Sequence, residues 1–509
     1  MGLVYLKEFS HSNGGKKLYD NATLRINRGE HIALIGPNGC GKTTLFNIIS
    51  GKVIPDKGDV EIHPRIKMGF LDQHLNVDKK IKVIDYLKDA FKELFNIEEQ
   101  MTKIYEQIAV EYNEEDLMKA LKYQDILNNN DFDLIDKKIG NLVNGLGIGI
   151  DKLDKVLDTL SGGQKAKIML AKLLLTNNDV FLLDEPTNFL DITQVEWLAK
   201  FLSSFEKPFI LISHDVDFIN KTCKIIYAVE NFKLERYVGD YNKYLEESAL
   251  KREQYEKTFT SQQKEIKKLE TYIAKNAARA STAKSAQSRA KKLEKMDMLG
   301  KQQEQAKPKF SFSYKKPSGN IVVKLEDLEI GYDFPLVKKL NFVIRDGEKY
   351  IISGKNGAGK TTFLNTLFKE IKEYSGKIEY ANNLKIEYFR QIEKMEEITP
   401  IQYLLRRFDN ITDQDAKSKL SQFGIKTNLM FKPMTLLSGG EQAKVRLSAL
   451  SLTPCSLLLL DEPTNHIDVL AKESLIEAIQ KFQGTIILTT HDINLSTNWA
   501  NEVIEFNKN

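Results

Sequence analysis

Short apolar runs recur along the chain, and each is followed by a glycine-rich or an acidic stretch. The runs at residues 32–35, 180–183, 350–353 and 457–460 are short and largely apolar. Such runs predict strands that are buried on both faces, as in a parallel sheet. The segments that follow two of them, residues 44–50 and 362–369, have helical character. The pattern therefore predicts an α/β protein in which strand, loop and helix alternate.

The same series of motifs occurs twice. The loop GPNGCGKT at residues 36–43 recurs as GKNGAGKT at 354–361, and LSGGQ, DEPTN and SHD recur as LSGGE, DEPTN and THD. Three intervals are equal in both halves: 37 residues from the first loop glycine to a glutamine, 23 from the serine to the aspartate, and 30 from the aspartate to the histidine. A fourth differs by about 41 residues and marks an insertion in the first half. We interpret the chain as two copies of one α/β unit, the first of them elaborated.

Length and composition agree with this division and exclude several classes of protein. The chain has 509 residues, whereas a single core stops growing near about 250–300 residues. No apolar run approaches the roughly 18 residues that cross a bilayer, and the opening residues lack the pattern of a signal peptide. Three scattered cysteines, Cys40, Cys223 and Cys455, form neither a disulfide framework nor a metal cluster. We therefore expect a cytoplasmic protein and disfavour a membrane channel, a secreted protein and an iron–sulfur protein.

Each glycine-rich loop lies between a predicted strand and a predicted helix, which is where a phosphate-binding loop must lie. Glycines let backbone N–H groups curl around nucleotide phosphates, the loop lysine adds a positive charge, and the threonine after it can place a hydroxyl on Mg²⁺. The candidate ATP-binding residues are Gly36, Asn38, Gly39, Gly41, Lys42, Thr43 and Thr44 in the first half, and Gly354, Asn356, Gly357, Gly359, Lys360, Thr361 and Thr362 in the second.

Acidic and polar residues at the ends of other predicted strands complete this chemistry. The aspartate of each Asp–Glu pair would hold Mg²⁺, the glutamate would polarise the attacking water, and the histidine would contact the γ-phosphate and that water. A glutamine would complete the shell of magnesium and water. Phosphoryl transfer requires this kind of positioning and charge neutralisation. The residues are Gln73, Asp184, Glu185 and His214 in the first half, and Gln391, Asp461, Glu462 and His491 in the second.

A Ser-Gly-Gly sequence opens a predicted helix in each half, at residues 164–175 and 441–452. A helix amino terminus with bare glycines is an anion site. We name residues 160–164 and 437–441 the signature segments. Their candidate ATP-binding residues are Ser161, Gly163, Ser438 and Gly440.

Together these motifs resemble those of ATP-binding cassette (ABC) ATPases, with two cassettes in one chain. The resemblance implies a head-to-tail sandwich with two ATP molecules and Mg²⁺ at its interface, where the loop of each half meets the signature segment of the other. ATP would close the sandwich and hydrolysis would open it. Because both halves have every catalytic position filled, both sites are expected to hydrolyse ATP. Tyr332 fits the aromatic residue that stacks on adenine in this family, whereas the first half has Ser12, Asn13 and Gly14 there.

The segment between the two halves is basic and helical. Residues 241–318 carry 19 Lys and Arg against 9 Asp and Glu, although the whole chain has a net charge of only +4. Residues 241–274 and 283–305 have helical composition around a short turn, which predicts an antiparallel hairpin. Residues 271–293 contain no acid, and their basic side chains suit phosphate contacts. The candidate RNA-binding residues are Lys275, Arg279, Lys284, Arg289, Lys291 and Lys292.

The domain boundaries follow from these segments. We predict a first ABC domain at residues 1–240, a hairpin linker at 241–318 and a second ABC domain at 319–509. The inserted residues are placed at about 91–130, where helical periodicity and a net charge of −5 predict an acidic arm. This arm either contacts protein or is a structural elaboration.

The tandem arrangement, the linker and the sequence GDYNKYL at residues 239–245 resemble the ABC-F subfamily of ribosome-binding ATPases. The resemblance implies that the protein binds the ribosome at the exit-tRNA site, contacting large-subunit rRNA, P-site tRNA and an exit-site protein. It implies neither a membrane partner nor an obligate protein subunit. A general translation factor and an antibiotic-resistance factor both stay open. The alternatives are the soluble ATPase subunit of a membrane transporter and a DNA-repair ATPase.

Overall fold

The structure is a computed structural model that describes residues 2–71, 80–276, 283–294, 296, 307–355, 357–391, 393, 395–465, 467–490 and 499–506. Four predicted site residues, Gln73, Arg279, Asn356 and His491, lie outside this set. The described residues form two α/β units of the same plan, joined by long helices. The predicted fold class is confirmed.

Nine strands build two sheets in the first unit. A three-stranded antiparallel sheet has the order β2-β1-β4, and a six-stranded sheet has the order β5-β6-β7-β3-β8-β9 and is parallel except for β9. The strands are β1 Gly2–Asn13, β2 Lys16–Asn27, β3 His31–Ile35, β4 Lys57–Ile62, β5 Met68–Phe70, β6 Val180–Asp184, β7 Phe209–Ile212, β8 Ile225–Glu230 and β9 Lys233–Val238.

Helices cover the six-stranded sheet, whose central strands are buried. The apolar runs at residues 32–35 and 180–183, which were predicted as core strands, lie in β3 and β6. They are apolar throughout because a strand that is covered on both faces has no side that contacts water. The helices are α1 Lys42–Ile49, α2 Val83–Lys88, α3 Lys92–Val110, α4 Glu114–Asn129, α5 Ile135–Gly145, α6 Gly162–Leu175, α7 Ile192–Ser203 and α8 Val216–Thr222.

A long helix and a shorter one lie between the units. Helix α9 spans Tyr241–Asn276 and helix α10 spans Ala283–Glu294. At about 1.5 Å per residue, the 36 residues of α9 extend ~54 Å. Contacts between the helices run antiparallel, since Glu265 pairs with Lys292 at 2.8 Å and Tyr272 contacts the lower-numbered Ser285 at 3.4 Å. The predicted hairpin is confirmed.

The second unit repeats the plan with fewer elements. Its sheets have the orders β11-β10-β13 and β14-β15-β16-β12-β17, and the second of these is wholly parallel. The strands are β10 Ile321–Gly331, β11 Pro335–Arg345, β12 Lys349–Gly354, β13 Ser375–Tyr380, β14 Ile386–Phe389, β15 Leu457–Asp461, β16 Thr485–Thr489 and β17 Glu502–Phe506; the helices are α11 Lys360–Leu367, α12 Pro400–Arg407, α13 Asp413–Gln422, α14 Gly439–Leu452 and α15 Val469–Lys481.

Comparison of the units shows where the first is elaborated. Helices α3 and α4 lie between α2 and α5, and they pack side by side with the Tyr105 hydroxyl donating to Oε1 of Gln124 at 3.3 Å. Between α12 and α13 the second unit has only five residues. The segment before β10 also packs on the second unit, because Phe310 is buried in its core and Lys307 pairs with Glu477 at 2.7 Å.

Candidate functional site

The first glycine-rich loop wraps around the amino end of α1. Lys42 is the first residue of that helix, and its Nζ donates to the carbonyls of Gly36 at 2.7 Å and Pro37 at 3.2 Å. The loop needs glycine, since Gly39 and Gly41 have φ of 70° and 107° and a Cβ at Gly36 would lie 2.9 Å from Sγ of Cys40. The result is a backbone ring with a cation at its centre, which can hold phosphates.

A hydroxyl and a carboxylate meet beside this loop. Oγ1 of Thr43 donates to Oδ2 of Asp184 at 3.1 Å, because α1 begins next to the carboxyl end of β6. Burial raises the pKa of Asp184, and Thr43 and Lys42 oppose that rise. Hydroxyl, carboxylate, phosphate and water oxygens are ligands that suit Mg²⁺.

Glu185 occupies an unusual backbone conformation directly after this strand. Its φ is 47°, its N–H donates to the carbonyl of Ile212 at 2.9 Å, and Nε2 of His214 lies 3.5 Å from its Oε1. Burial raises the pKa of Glu185 to about 8, and the neighbouring Asp184 contributes to the rise. Strained residues of this kind cost roughly 1–3 kcal/mol and cluster at functional sites.

The second unit reproduces this arrangement. Lys360 Nζ donates to the carbonyl of Gly354 at 2.6 Å, and Thr361 Oγ1 donates to Oδ2 of Asp461 at 2.8 Å. Glu462 has a φ of 48°, which matches Glu185. Burial lowers the pKa of Lys360, while Glu462 and Asp461 act in the opposite direction.

One buried contact of the second site was missed from the sequence. Oγ1 of Thr489 donates to Oδ1 of Asp461 at 2.6 Å, and it accepts from the N–H of Glu462 at 3.2 Å. The first unit has Ile212 at the same register position opposite its aspartate. The duplication could have pointed to this position, because Ile212 and Thr489 each come 28 residues after the aspartate of their own unit.

The signature segments cap the helices that follow them. Ser161 and Ser438 are the N-cap residues of α6 and α14, and each forms a capping box with the residue three positions on, Gln164 or Glu441. The helices therefore begin at Gly162 and Gly439, two residues before the predicted starts, because the capping serine precedes the glycines. The glycines therefore form the amino ends of these two helices, where backbone N–H groups have no partner within the helix.

Residues of one unit lie close to the site of the other. A Cβ built on Gly39 of the first loop would lie 3.8 Å from Oε1 of Glu441 in the second signature segment. Asp191 of the first unit acts electrostatically on the pKa of Lys360. In the second unit the equivalent residue is Asp468, and His214 of the first unit contributes to the lowering of its pKa. The two units therefore face each other across their nucleotide loops.

The remaining predicted site residues are dispersed. Tyr332 lies at the turn between β10 and β11 and is 64% exposed, and Gln391 is exposed just after β14. In the parts of the chain that the structure describes, no group of three His, Cys, Asp or Glu side chains could hold a metal ion. A divalent ion would therefore need phosphate and water oxygens besides the threonine and aspartate of each site, which fits Mg²⁺ brought with a nucleotide.

The basic residues of the hairpin fall into two groups. Arg289 lies 3.6 Å from the centre of the Tyr272 ring, and Lys292 pairs with Glu265 at 2.8 Å. Lys275, Lys284 and Lys291 are exposed and form no ion pair with any described residue. The first two residues hold the helices together, and the three lysines can contact an anionic partner.

Comparison with known proteins identifies relatives along the whole chain. A family model described as "ABC transporter" matches residues 19–188 and 337–465, and a second model of the same description matches residues 227–312. The chain is 41% identical to the uncharacterized ABC transporter ATP-binding protein YfmM of Bacillus subtilis, over 99% of this chain and 98% of that protein. It is 33% identical to ABC transporter F family member 5 of Arabidopsis thaliana, over 99% of this chain and 74% of that protein.

A solved structure has the same fold. The archaeal ribosome recycling factor aABCE1, in complex with the ribosomal stalk protein aP1, aligns with a TM-score of 0.61 at 19% identity, over 98% of this chain and 87% of the other. At this identity the likeness concerns the fold, and it covers both units. No helix in the described part of the chain is long and apolar enough to span a membrane.

Proposed function

Because the chain belongs to the F subfamily of ABC ATPases, we propose that it binds the ribosome at the exit-tRNA site when loaded with ATP. Its linker acts there on tRNA and the peptidyl-transferase centre, and hydrolysis releases the protein. The partners in this proposal are large-subunit rRNA, P-site tRNA and an exit-site protein.

The two loops and their carboxylates take the nucleotide roles in this proposal. Lys42 and Lys360 hold the β- and γ-phosphates of ATP, and the Thr–Asp pairs at 3.1 Å and 2.8 Å hold Mg²⁺. Mg²⁺ supplies neutralisation of phosphate charge. Glu185 and Glu462 orient the attacking water, and both side chains are largely buried, which keeps competing water away.

The observation that carries the ribosome proposal is the cationic hairpin between two ATPase units. Lys275, Lys284 and Lys291 lie near its far end, and Lys264, Lys267 and Lys268 continue the exposed positive charge down α9. Helical spacing of three and four residues places Lys264, Lys267 and Lys268 on one side of the helix. The first turns of α9 pack on the first unit, where Arg252 pairs with Glu230 at 3.0 Å, and the rest of the helix pairs with α10. A helical hairpin with lysines along it suits contacts with the phosphates of structured RNA.

The arm formed by α3 and α4 supports a second contact, with protein. Val110 at the end of α3 and Tyr112 in the following turn have side chains that are 90% and 70% exposed. The first turn of α4 is acidic, with Glu114, Glu115 and Asp116. An apolar and acidic surface suits a basic protein better than RNA, whose phosphates would repel it. We assign this arm to the exit-site protein.

Two cellular roles are compatible with this proposal. One is a general translation factor that relieves stalled ribosomes, and the other is a resistance factor that dislodges antibiotics from the large subunit. Deletion of the gene followed by drug-susceptibility tests separates them. Sensitivity to drugs of the large subunit indicates resistance, and slowed growth without drug sensitivity indicates a translation role.

The proposal is tested by trapping the ATP-bound state. The double variant Glu185→Gln with Glu462→Gln should bind ATP without hydrolysing it and should co-sediment with ribosomes in a sucrose gradient. The matched control adds Lys42→Ala and Lys360→Ala, which removes the phosphate-binding charges and should leave the protein at the top of the gradient. Free sedimentation of the trapped variant would contradict the proposal, and recovery with membranes would favour the ATPase subunit of a transporter.

A further inference from the structure

One neighbouring strand places a hydroxyl on the aspartate of the second site and none on that of the first. Asp461 pairs with Thr489 in the parallel register of β15 and β16, and Asp184 pairs with Ile212 in that of β6 and β7. Oγ1 of Thr489 donates to Oδ1 of Asp461 at 2.6 Å. An isoleucine side chain has no hydrogen-bond donor, so only the second unit has a hydroxyl at this position.

The strand on the other side of the aspartate repeats this difference. Tyr388 in β14 and Phe70 in β5 each pair with the residue two positions before the aspartate of their own unit. The two residues are therefore equivalent by strand register. Both rings pack against the helix that follows the nucleotide loop, since Tyr388 lies 5.4 Å from Phe368 at the end of α11 and Phe70 lies 6.0 Å from Phe46 in α1, between ring centroids. The ring is thus common to both units, and the hydroxyl belongs to the second.

The Tyr388 hydroxyl is buried and forms no well-defined hydrogen bond with any described residue. Burial raises the pKa of Tyr388, and the negative charge of Asp461 raises it further, so the hydroxyl lies within range of that carboxylate. Buried donors without a partner are rare, because they forfeit the hydrogen bonds that water would give them. The hydroxyl is therefore placed to donate to an oxygen atom at the metal site.

The two hydroxyls are of the kind that supports the protein ligands of a metal ion. Such groups orient the ligands and tune their basicity, and their loss typically weakens metal affinity about 10- to 100-fold. Where Thr361 and Asp461 hold Mg²⁺, Thr489 fixes one oxygen of the carboxylate. Because Mg²⁺ usually keeps several of its waters, Tyr388 can donate to the carboxylate or to a water on the ion.

We infer that Tyr388 and Thr489 are positioning residues for the divalent ion of the second site, which binds that ion more tightly than the first site does. Phe70 and Ile212 give the first site no equivalent contacts. When the metal is limiting, the second site is therefore loaded before the first. The inference rests on the proposed nucleotide and Mg²⁺ roles of the two loops and is independent of the ribosome proposal.

Titration with Mn²⁺ as a paramagnetic substitute for Mg²⁺ measures this affinity without turnover, from the electron paramagnetic resonance signal of the free ion. The full chain carries Glu185→Gln and Glu462→Gln and is in excess over ATP. Adding Lys42→Ala leaves the second site, and adding Lys360→Ala instead leaves the first. The second site should bind Mn²⁺ about 10- to 100-fold more tightly than the first. Equal affinities would overturn the inference.

A single hydroxyl can be removed with a matched control. Tyr388→Phe gives the second site the ring that the first unit has, and it should weaken Mn²⁺ binding there about tenfold or more while the first site stays unchanged. Tyr380→Phe removes a tyrosine hydroxyl from the other sheet of the second unit, where it donates to the carbonyl of Leu367 at 3.2 Å, and should leave the Mn²⁺ affinity unaltered. Equal effects of the two changes would contradict a role of Tyr388 at the metal.

The reverse exchange keeps the inference testable if a variant of the second site does not fold. Phe70→Tyr with Ile212→Thr supplies the first site with both hydroxyls and should strengthen its Mn²⁺ binding about tenfold or more. An unchanged affinity in the folded double variant would count against the inference. Loss of ATP binding in both single-site backgrounds, measured by calorimetry, would overturn the proposed nucleotide roles and the inference with them, whereas ATP binding with equal Mn²⁺ affinities would overturn the inference alone.

Discussion

The two sites share the same motifs, but single residues give them different chemical surroundings. In both units a threonine hydroxyl meets the aspartate at the end of a core strand. Only Asp461 also accepts from Thr489, whereas Ile212 stands at that register position in the first unit. The second aspartate is therefore more firmly oriented before any ligand arrives.

Replacing Thr489 by valine should lower the free energy of unfolding of the second unit by about 1–3 kcal/mol, because a buried carboxylate oxygen loses its donor. Urea unfolding followed by the fluorescence of Trp499 measures this in a Trp197→Phe background, since the chain has 2 tryptophans. Thr427→Val, at an exposed position, is the control and should leave the urea midpoint unchanged. An equal effect of both changes would show that the Thr489 contact is unimportant.

At the scale of elements, the linker is a hairpin whose charges serve two purposes. Arg289 stacks over Tyr272, Lys292 pairs with Glu265, and Ala286 is buried between the helices. These contacts align α9 with α10. The lysines that take no part in the alignment are the ones that can meet phosphates.

Exchanging Lys275, Lys284 and Lys291 for glutamine should weaken ribosome binding by the ATP-trapped protein. Each lost phosphate contact should also reduce the slope of log K against log salt concentration by about 0.7–0.9. Sedimentation at several salt concentrations gives that slope. A single Lys292→Gln change breaks an ion pair within the hairpin and should alter the slope less than any one of the three. Equal slopes for the triple variant and the parent would refute RNA contact by these lysines.

At the scale of the whole molecule, each unit contributes charge to the site of the other. Asp191 of the first unit acts to raise the pKa of Lys360, and His214 of the first unit contributes to the lowering of the pKa of Asp468. The two aspartates are equivalent N-caps, of α7 and α15, but their surroundings differ. Asp468 forms a buried ion pair with Lys444 at 2.6 Å, whereas Asp191 is held by Thr193 and Gln194.

Asp191→Asn keeps an acceptor for the helix cap, removes the charge and loses the acceptor of the Gln194 side-chain amide. We expect it to change hydrolysis at the site of the opposite unit by about 2- to 30-fold, the effect of roughly 0.5–2 kcal/mol of coupling between sites. The ATPase rate should change in a Glu185→Gln background, where only the second site turns over. It should stay the same in a Glu462→Gln background. The reverse pattern would show that Asp191 serves its own unit.

The sequence by itself determined the duplication, the strand–loop–helix order, the types of the candidate catalytic residues and the helical linker. Each of these depends on local properties such as apolar runs, glycine positions and motif spacing. The sequence did not predict which side chains contact each other, because those contacts depend on which elements meet in space. The tertiary structure decided that Thr489 supports Asp461, that Arg289 and Lys292 face inward on the hairpin, and that Lys16 approaches the opposite signature segment. A side chain's charge can be read from the sequence, but its partner is fixed only when distant segments pack together.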